Sequence, residues 1–293
     1  MPLAFHACSF RKKTTEIGLI GLMMTNLPDT TFLVTELDKG WLTVWLNRPD
    51  VKNAMSRALT DELQAVLAAI RDDRSIRGMT LRGKDGVFCA GGDLKEVKEN
   101  FQQADKSPDD VAEYSLHMGE MFEALSTLPM PVIALVEGPA MAGGFGLVCA
   151  CDVVIVTEDA KFAMTEAAIG IPPAQIIPHV ASRLGLPVAR RMVMTAARIG
   201  SEEALTIGLA DFVAKDGVEA EAKVAEIKKA VMRCAPNANA VSKEIIFASR
   251  TLQGKEIIEF AAKGFAEAIV GEEGREGIAS FLEKRKPRWA EEN

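Results

Sequence analysis

Metal-binding and redox signatures are missing from this sequence of 293 residues. It has five cysteines and three histidines, and no two cysteines form a CxxC pair. The cysteines are Cys8, Cys89, Cys149, Cys151 and Cys234. An odd number of cysteines in an acidic chain is typical of reduced thiols packed in a core. We therefore expect no metal site and a cytoplasmic location.

Positive charge and long apolar runs are also scarce. Lys and Arg total 34 against 41 Asp and Glu, which gives a net charge of −7. Such a chain lacks the basic face that nucleic-acid binding requires, and no apolar run approaches the ~20 residues of a membrane span. The P-loop and GxGxxG patterns are absent as well. We expect neither a nucleic-acid nor a membrane partner.

What is present is enough apolar material for one large core, since 48% of the residues are hydrophobic. Residues 1–24 carry one basic cluster and a short apolar run, and we interpret them as a disordered leader rather than a targeting segment. Residues 25–225 are predicted to form an α/β core. Residues 226–293, rich in alanine with helical periods, are predicted to form a C-terminal helical region.

Within the core, predicted strands alternate with helices. Strands are predicted at 31–37, 41–46, 78–82, 132–136, 153–156 and 161–163, and helices at 56–70, from 94, at 113–127 and from 143. The turn sequence Asp38-Lys39-Gly40 predicts a hairpin between the first two strands. Residues 102–112 are polar and predict a loop, and strand signals fade after residue 180. Continuous apolar strands favour a parallel sheet that is covered on both faces.

Two glycine loops, AGG at 90–92 and AGGFG at 142–146, each lie between a strand and a helix. Glycine at such a junction lets another group approach the backbone, and a helix start leaves N–H groups unpaired. One interpretation is a pair of N–H donors, one from each loop, directed at a single carbonyl oxygen. The other is close packing of helix on strand with no ligand.

In order and spacing, five segments resemble the enoyl-CoA hydratase/isomerase (crotonase) superfamily. They are LNRPDVKNAMS, GVFCAGGDLKE, PVIALVEGPAMAGGFGLVCACDVVIV, AKFAMTEAAIGI and EGIASFLEKRK. The resemblance runs from about residue 31 to the C-terminus. It implies an α/β spiral of repeated ββα units with a C-terminal helical oligomerisation region, in homotrimers or homohexamers. It also implies an acyl-CoA thioester as substrate, with no cofactor beyond the coenzyme A of that substrate.

Carried over by position, the resemblance implies a set of site residues. The backbone N–H groups of Gly92 and Gly143 would form an oxyanion hole. Residues that would contact the substrate or its CoA are Lys52, Ala54, Ala90, Asp93, Leu94, Phe281 and Lys284. Taken alone, the basic end of the last helix would more often be a solvated surface.

The resemblance also places one carboxylate in the site. Ordinary hydratases of the family carry two glutamates; the first position is Gly146 here, and the second is Glu166. Glu166 lies among apolar residues, so we expect burial to raise its pKa toward the working range of an acid/base catalyst. Without the resemblance, a glutamate that opens a helix is more often an exposed first-turn residue.

Three functions remain open at this stage. A hydratase would add water to a branched 2-enoyl-CoA, and the segment IPPAQIIPHV resembles hydratases that act on 3-methylglutaconyl-CoA or isohexenylglutaconyl-CoA. A Δ3,Δ2-isomerase would use the same glutamate to move a proton. A non-catalytic acyl-CoA binding protein would tolerate loss of Glu166. Candidates to bind a distal carboxylate are His179, Arg183, Lys95 and Gln175, each of which alone is more simply a structural polar residue.

Overall fold

The computed structural model describes residues 27–102 and 106–290, so the predicted leader at 1–24 lies outside the described residues. The strands are β1 (Leu33–Asp38), β2 (Trp41–Leu46), β3 (Gly78–Gly83), β4 (Val132–Val136), β5 (Pro139–Met141), β6 (Val153–Thr157), β7 (Lys161–Ala163), β8 (Arg198–Gly200) and β9 (Phe212–Ala214). The helices are α1 (Arg57–Ile70), α2 (Leu94–Val97), α3 (Pro108–Ser126), α4 (Gly143–Ala150), α5 (Ile177–Thr195), α6 (Ser201–Thr206), α7 (Gly217–Met232), α8 (Pro236–Ala248), α9 (Lys255–Val270) and α10 (Glu272–Leu282).

The main sheet has the strand order β1-β2-β3-β4-β6-β9. β1 and β2 form an antiparallel hairpin, and each of the other neighbouring pairs is parallel. The hairpin turns through Lys39 and Gly40, whose φ angles are 47° and 74°. Two successive residues with positive φ are what a two-residue hairpin turn requires, so the predicted hairpin is confirmed.

Helices cover both faces of this sheet, as its apolar strands predict. On one face α1 buries Leu59, Leu63 and Leu67 in the main core, which α3 and α4 also enter. On the other face α7 packs Ala220 and Val224 into a second apolar cluster with strand residues. Because parallel strands buried on both faces can place apolar residues on each side, β4 is apolar and buried throughout.

A second, smaller sheet sets the geometry of the site. It has the order β5-β7-β8, with β5 parallel to β7 and β8 antiparallel to β7. Met141 at the end of β5 is opposite Ala163 at the end of β7. The two chain segments that leave this sheet side by side are therefore the one that enters α4 and the one that leads to Glu166.

Two local predictions are wrong. The polar stretch 102–112 does not stay a loop, because α3 begins at Pro108, where Ser107 and Asp110 form a capping box. Strands also do not end near residue 180, because β8 and β9 follow. Each of these two strands has three residues, which is too short for an alternating pattern to register.

The C-terminal helices α8, α9 and α10 form the outer part of the chain. α8 and α9 bury none of their residues within one chain. Lys243 connects α8 to the core through an ion pair, with its Nζ 2.7 Å from Oδ2 of Asp152. The boundary predicted between residues 225 and 226 falls inside α7, a helix that packs on the sheet. Among the described residues, no helix is long and apolar enough to cross a membrane.

Candidate active site

The two glycine loops lie side by side in the folded chain. A Cβ built on Gly91 would be 3.5 Å from the amide nitrogen of Gly143, and one built on Gly143 would be 3.8 Å from the amide nitrogen of Gly92. Met141 donates its N–H to the carbonyl oxygen of Cys89 at 2.8 Å, which ties one loop to the other. The absence of side chains allows this approach, because a Cβ on Gly91 would also clash with Cβ of Ala142 at 2.7 Å.

Both candidate donors lack an acceptor in the part of the chain that the structure describes. Gly143 is the first residue of α4, so its N–H precedes the first helical hydrogen bond, which runs from Gly146 N to Ala142 O at 3.1 Å. The N–H of Gly92 likewise has no acceptor among the described residues. Two neighbouring N–H groups without acceptors can bind one oxygen that carries negative charge.

Ala142 sets the direction in which α4 begins. Its φ of 50° and ψ of −119° lie outside the regions that L-residues favour. Its N–H donates to the carbonyl oxygen of Ala163 at 2.8 Å. This bond connects the start of α4 to the strand that precedes Glu166.

Glu166 begins a 3-10 turn, Glu166–Ile169, directly beyond that strand. Its Oε2 atom is buried and has no hydrogen-bond partner among the described residues. Burial raises the pKa of this carboxyl group, and a hydrogen bond from its own backbone N–H opposes the rise only in part. A desolvated carboxylate with a free oxygen is suited to exchange a proton with a bound molecule.

Gly146, at the position of the first family glutamate, has no side chain, and neighbouring side chains fill the space that one would need. A Cβ on Gly146 would lie 2.2 Å from Cγ2 of Ile176 and 3.1 Å from Cε1 of Phe122. Ile176 belongs to the segment between Glu166 and α5 and is buried. The segment IPPAQIIPHV thus fills the space beside Gly146 with an apolar side chain.

The loop predicted to embrace CoA joins the first glycine loop through its backbone. Lys52 and Asn53 have φ angles of 54° and 55°, and Ala90 donates its N–H to the carbonyl oxygen of Lys52 at 3.0 Å. Ala54 is buried, with 8% of its surface exposed. The structure thus places Lys52, Ala54 and Ala90 together beside Gly92.

Asp93 and Leu94 start α2 just after Gly92. The Asp93 carboxylate caps α2 by accepting from Glu96 N at 3.3 Å and pairs with Arg48 at 3.0 Å. These contacts occupy the side chain, so its role within the chain is structural. Leu94 is 56% exposed and remains available to a ligand.

Phe281 and Lys284 lie apart from the loops in sequence, at the end of α10. That helix packs against α9, and both residues are exposed, Phe281 by 82%. Contact between these two residues and CoA stays a prediction.

Of the candidates for a distal carboxylate, Arg183 has its donors occupied and His179 is buried and uncharged. Arg183 donates to Asp211 at 2.7 Å and to the carbonyl oxygens of Leu209 and Cys151. His179 is buried with its ring 5.9 Å from that of Phe122. Burial lowers its pKa to about 4, assisted by the charge of Arg250, so it is neutral at pH 7.

The other two candidates are a partly buried glutamine and an exposed lysine. Gln175 donates to Ser115 at 2.9 Å through its Nε2 atom, and its Oε1 lies over Gly119. Lys95 is exposed on α2.

Sequence reasoning missed the residues that fix the backbone of this site, namely Met55, Ala142 and Ile176. The methyl carbon of Met55 would be 2.2 Å from a Cβ on Gly143, and its backbone bonds to both Gly91 and Asp93. No local pattern marks such residues, because an alanine with positive φ and a packed methionine have no sequence signature. Among the described residues, no group of three or more His, Cys, Asp or Glu could hold a metal ion.

Comparison with known proteins adds to this geometry. Residues 36–292 match the sequence family described as Enoyl-CoA hydratase/isomerase. A putative enoyl-CoA hydratase of Thermus thermophilus is 30% identical over 259 residues, which cover 87% of this chain and 100% of that protein. Human mitochondrial methylglutaconyl-CoA hydratase is 29% identical over 269 residues, covering 87% of this chain and 75% of that protein.

Solved structures are similar in fold. Pseudomonas aeruginosa AtuE superposes with a TM-score of 0.86 at 44% identity, covering 89% of this chain and 100% of that chain. An enoyl-CoA hydratase/isomerase from Marinobacter aquaeolei gives a TM-score of 0.85 at 38% identity, covering 89% and 99% of the two chains. The crotonase-type fold that the sequence predicts is thus confirmed.

Proposed function

The chain belongs to the enoyl-CoA hydratase/isomerase family and is an enzyme of the hydratase type, and from this premise we propose that it hydrates a branched 2-enoyl-CoA. The substrate we propose is isohexenylglutaconyl-CoA or 3-methylglutaconyl-CoA. The observation that carries the proposal is the buried Oε2 of Glu166, which has no hydrogen-bond partner among the described residues. Glu166 follows β7 and Gly143 follows β5, and these two strands are neighbours in the small sheet. The adjoining glycine loop brings the Gly92 N–H close to Gly143.

In the proposed reaction the thioester oxygen lies between those two N–H groups. Glu166 takes a proton from water, the water oxygen bonds to C3, and the electron pair of the double bond moves toward the thioester oxygen to form an enolate. Glu166 then returns the proton to C2, so that one water is added in total. Each N–H donor to the enolate oxygen is worth about 3–4 kcal/mol by comparison with other oxyanion holes.

The branched acyl group is proposed from relatives and from one segment of the sequence. Methylglutaconyl-CoA hydratases of mouse, human and rat match at 28–29% identity, and the segment 171–180 resembles such enzymes. A distal carboxylate of the acyl group would find Lys95 exposed on α2, whereas Arg183 is occupied and Gln175 already donates to Ser115.

The single carboxylate also favours a second candidate, a Δ3,Δ2-enoyl-CoA isomerase. Gly146 has no side chain and Ile176 fills the adjacent space, so a second proton-transfer group is missing there. An isomerase needs only one, since Glu166 would remove a proton from C2 of a 3-enoyl thioester and return it to C4. No water would be consumed.

We further propose that the protein works as a homotrimer or homohexamer in the cytoplasm. The C-terminal helices expose large apolar side chains within one chain, among them Ile246, Ile258, Phe265, Val270 and Phe281. Large exposed apolar side chains in such number on one region support an interface there. In an assembly, Phe281 and Lys284 would contact the CoA nucleotide, by the family resemblance.

The test is a mass-resolved assay in heavy-oxygen water with three substrates side by side, namely 3-methylglutaconyl-CoA, isohexenylglutaconyl-CoA and a linear 3-enoyl-CoA. We expect one labelled oxygen in the product of a branched thioester, with Glu166→Gln as the control that loses it. A shift of the double bond without gain of oxygen would establish the isomerase instead. Binding of all three without turnover would indicate a non-catalytic acyl-CoA binding protein.

A further inference from the structure

We infer that Arg48 is a positioning residue for the Gly92 donor, because its guanidinium group heads a run of hydrogen bonds that passes through two peptide groups and ends at the Gly92 N–H. The inference rests on the proposed function, which makes that N–H one of the two donors to the thioester oxygen. It assigns to Arg48 a role in the reaction without contact with the substrate.

The first step of the run is the bond from Arg48 Nη1 to the carbonyl oxygen of Ala54, at 2.6 Å. That oxygen belongs to the same peptide group as the N–H of Met55. Because the peptide bonds are trans, the C=O and N–H of one group point in opposite directions. A charged donor on the carbonyl side therefore orients the N–H on the far side and polarises it.

The second step repeats this arrangement. Met55 N–H donates to the carbonyl oxygen of Gly91 at 2.8 Å, and the Gly91 carbonyl shares its peptide group with the N–H of Gly92. The bond to the Gly91 carbonyl oxygen thus fixes the plane of that peptide group and with it the direction of the Gly92 N–H. An outside restraint matters here because two adjacent glycines have little conformational preference of their own, and Gly91 has a φ of 100°.

The other contacts of Arg48 fix the guanidinium in place. Nη2 lies 3.0 Å from Oδ2 of Asp93, and the guanidinium carbon lies 5.5 Å from the ring centre of Phe32. The Arg48 and Asp93 side chains are 18% and 15% exposed, so bulk water screens the pair only in part. Asp93 also donates its N–H to Met55 O at 2.9 Å. The backbone of Met55 is therefore hydrogen-bonded to the residue before Gly92 and to the residue after it.

A purely structural clamp would predict lower stability and nothing specific to the carbonyl group of the substrate. If Arg48 acts on the Gly92 N–H, its removal should also weaken the polarisation of the bound thioester carbonyl. The infrared stretching frequency of a carbon-13-labelled thioester carbonyl measures this. Isovaleryl-CoA is a suitable probe, because it is saturated and cannot be hydrated.

We expect binding to wild-type protein to lower the carbonyl frequency and Arg48→Met to lose most of that lowering. We also expect Arg48→Met to reduce kcat up to about 100-fold, the scale for a misplaced catalytic group. Arg48→Lys, which keeps one charged donor, should restore part of both. The control is Arg82→Lys, a comparably shielded arginine that pairs with Glu137 at 2.6 Å, which should alter stability and leave the carbonyl frequency unchanged.

A folded Arg48→Met protein with the wild-type carbonyl frequency and kcat would overturn the inference. If that variant does not fold, Arg48→Gln decides, because it keeps an N–H donor without the charge, and a wild-type frequency and kcat in a folded Arg48→Gln protein would overturn the inference equally. Failure of wild-type protein to lower the frequency at all would instead refute the oxyanion hole of the proposed function.

Discussion

The N–H of Ala142 donates to the carbonyl oxygen of Ala163 at 2.8 Å. This single bond joins the segment that presents the Gly143 N–H to the strand that leads to Glu166. The candidate donor and the candidate acid/base are thus set by adjacent strands of one small sheet. Their relative position depends on the strained backbone of Ala142 at the junction.

Replacing Ala142 by glycine tests that strain. An L-residue in so sparsely populated a conformation costs about 1–3 kcal/mol, whereas glycine there costs about 0.5–1 kcal/mol in chain entropy. We expect Ala142→Gly to raise the free energy of unfolding by about 1 kcal/mol or leave it level, and to lower kcat because the donor gains freedom. Urea unfolding and steady-state kinetics measure both. Ala196→Gly, at the left-handed end of α5, is the matched control away from the site; a clear loss of stability in Ala142→Gly alone would contradict the strain.

Glu166→Gln keeps the shape of the side chain and removes its proton chemistry. We expect kcat to fall about 10²–10⁴-fold, the range for a general acid/base, with a small change in the binding of a saturated acyl-CoA. Single-turnover kinetics and calorimetry separate these two quantities. A folded variant with unchanged kcat would exclude Glu166 as the catalytic group.

The raised pKa of Glu166 also predicts two pH dependences. The acidic limb of the kcat/KM profile should lie above the ordinary glutamate value of about 4.3, because hydration starts from the ionised form. Since the folded state binds the proton more tightly than the unfolded chain, stability falls as pH rises from about 4.3 through the raised pKa. Glu166→Gln should therefore be the more stable protein at pH 7, and thermal unfolding should find this difference vanishing below about pH 4. A constant difference across the range would contradict the burial of the carboxylate.

Two substitutions at Gly143 distinguish the effect of losing the N–H from the effect of adding a side chain. Alanine and proline both add a Cβ that meets the flexible end of Met55, but only proline removes the N–H. Proline is tolerated at the first helical position but disfavours the φ and ψ angles of Ala142 before it, so urea unfolding of both variants must first show that they are folded. We expect Gly143→Pro to lose about 10²–10³-fold more kcat than Gly143→Ala, the loss for one oxyanion donor. Equal rates in the two folded variants would mean that this N–H does not act on the substrate.

The contact between Gly146 and Ile176 predicts a compensating pair. A Cβ at Gly146 would lie 2.2 Å from Ile176 Cγ2, so Gly146→Ala should destabilise the fold by about 1–3 kcal/mol through overpacking. Ile176→Ala should remove most of that penalty, and a double-mutant cycle by urea unfolding would measure the coupling. Additive effects would show that the two residues do not compete for one space.

Introducing a charged residue on the exposed face of the C-terminal helices tests the proposed assembly. Phe265 is 65% exposed in one chain, so Phe265→Asp should cost little within a monomer and much in an apolar interface. We expect the variant to sediment as a smaller species than the wild type. Lys255→Asp on the same helix, at a residue 87% exposed, serves as a charge control. An unchanged mass for Phe265→Asp would place the interface elsewhere.

The predictable parts of this protein are those that depend on local pattern. The hairpin at Lys39–Gly40, helix α1 and the buried strand β4 each have a distinct signature within a few residues of sequence. The start of α3 was also encoded locally, by the capping box at Ser107 and Asp110, although its polar composition indicates a loop. The short strands β8 and β9 have no such signal, because pairing with distant strands alone makes them strands.

The same division runs through the site. By itself the sequence determined that two glycine loops open helices, that Gly146 has no side chain and that Glu166 lies in apolar surroundings. Only the tertiary structure decided that Ile176 fills the space at Gly146, that Ala142 adopts a positive φ, and that hydrogen bonds connect Arg48 to the Gly91–Gly92 peptide group. The physical reason is that these features arise from contacts between segments far apart in the chain, and no local propensity encodes which distant group will approach.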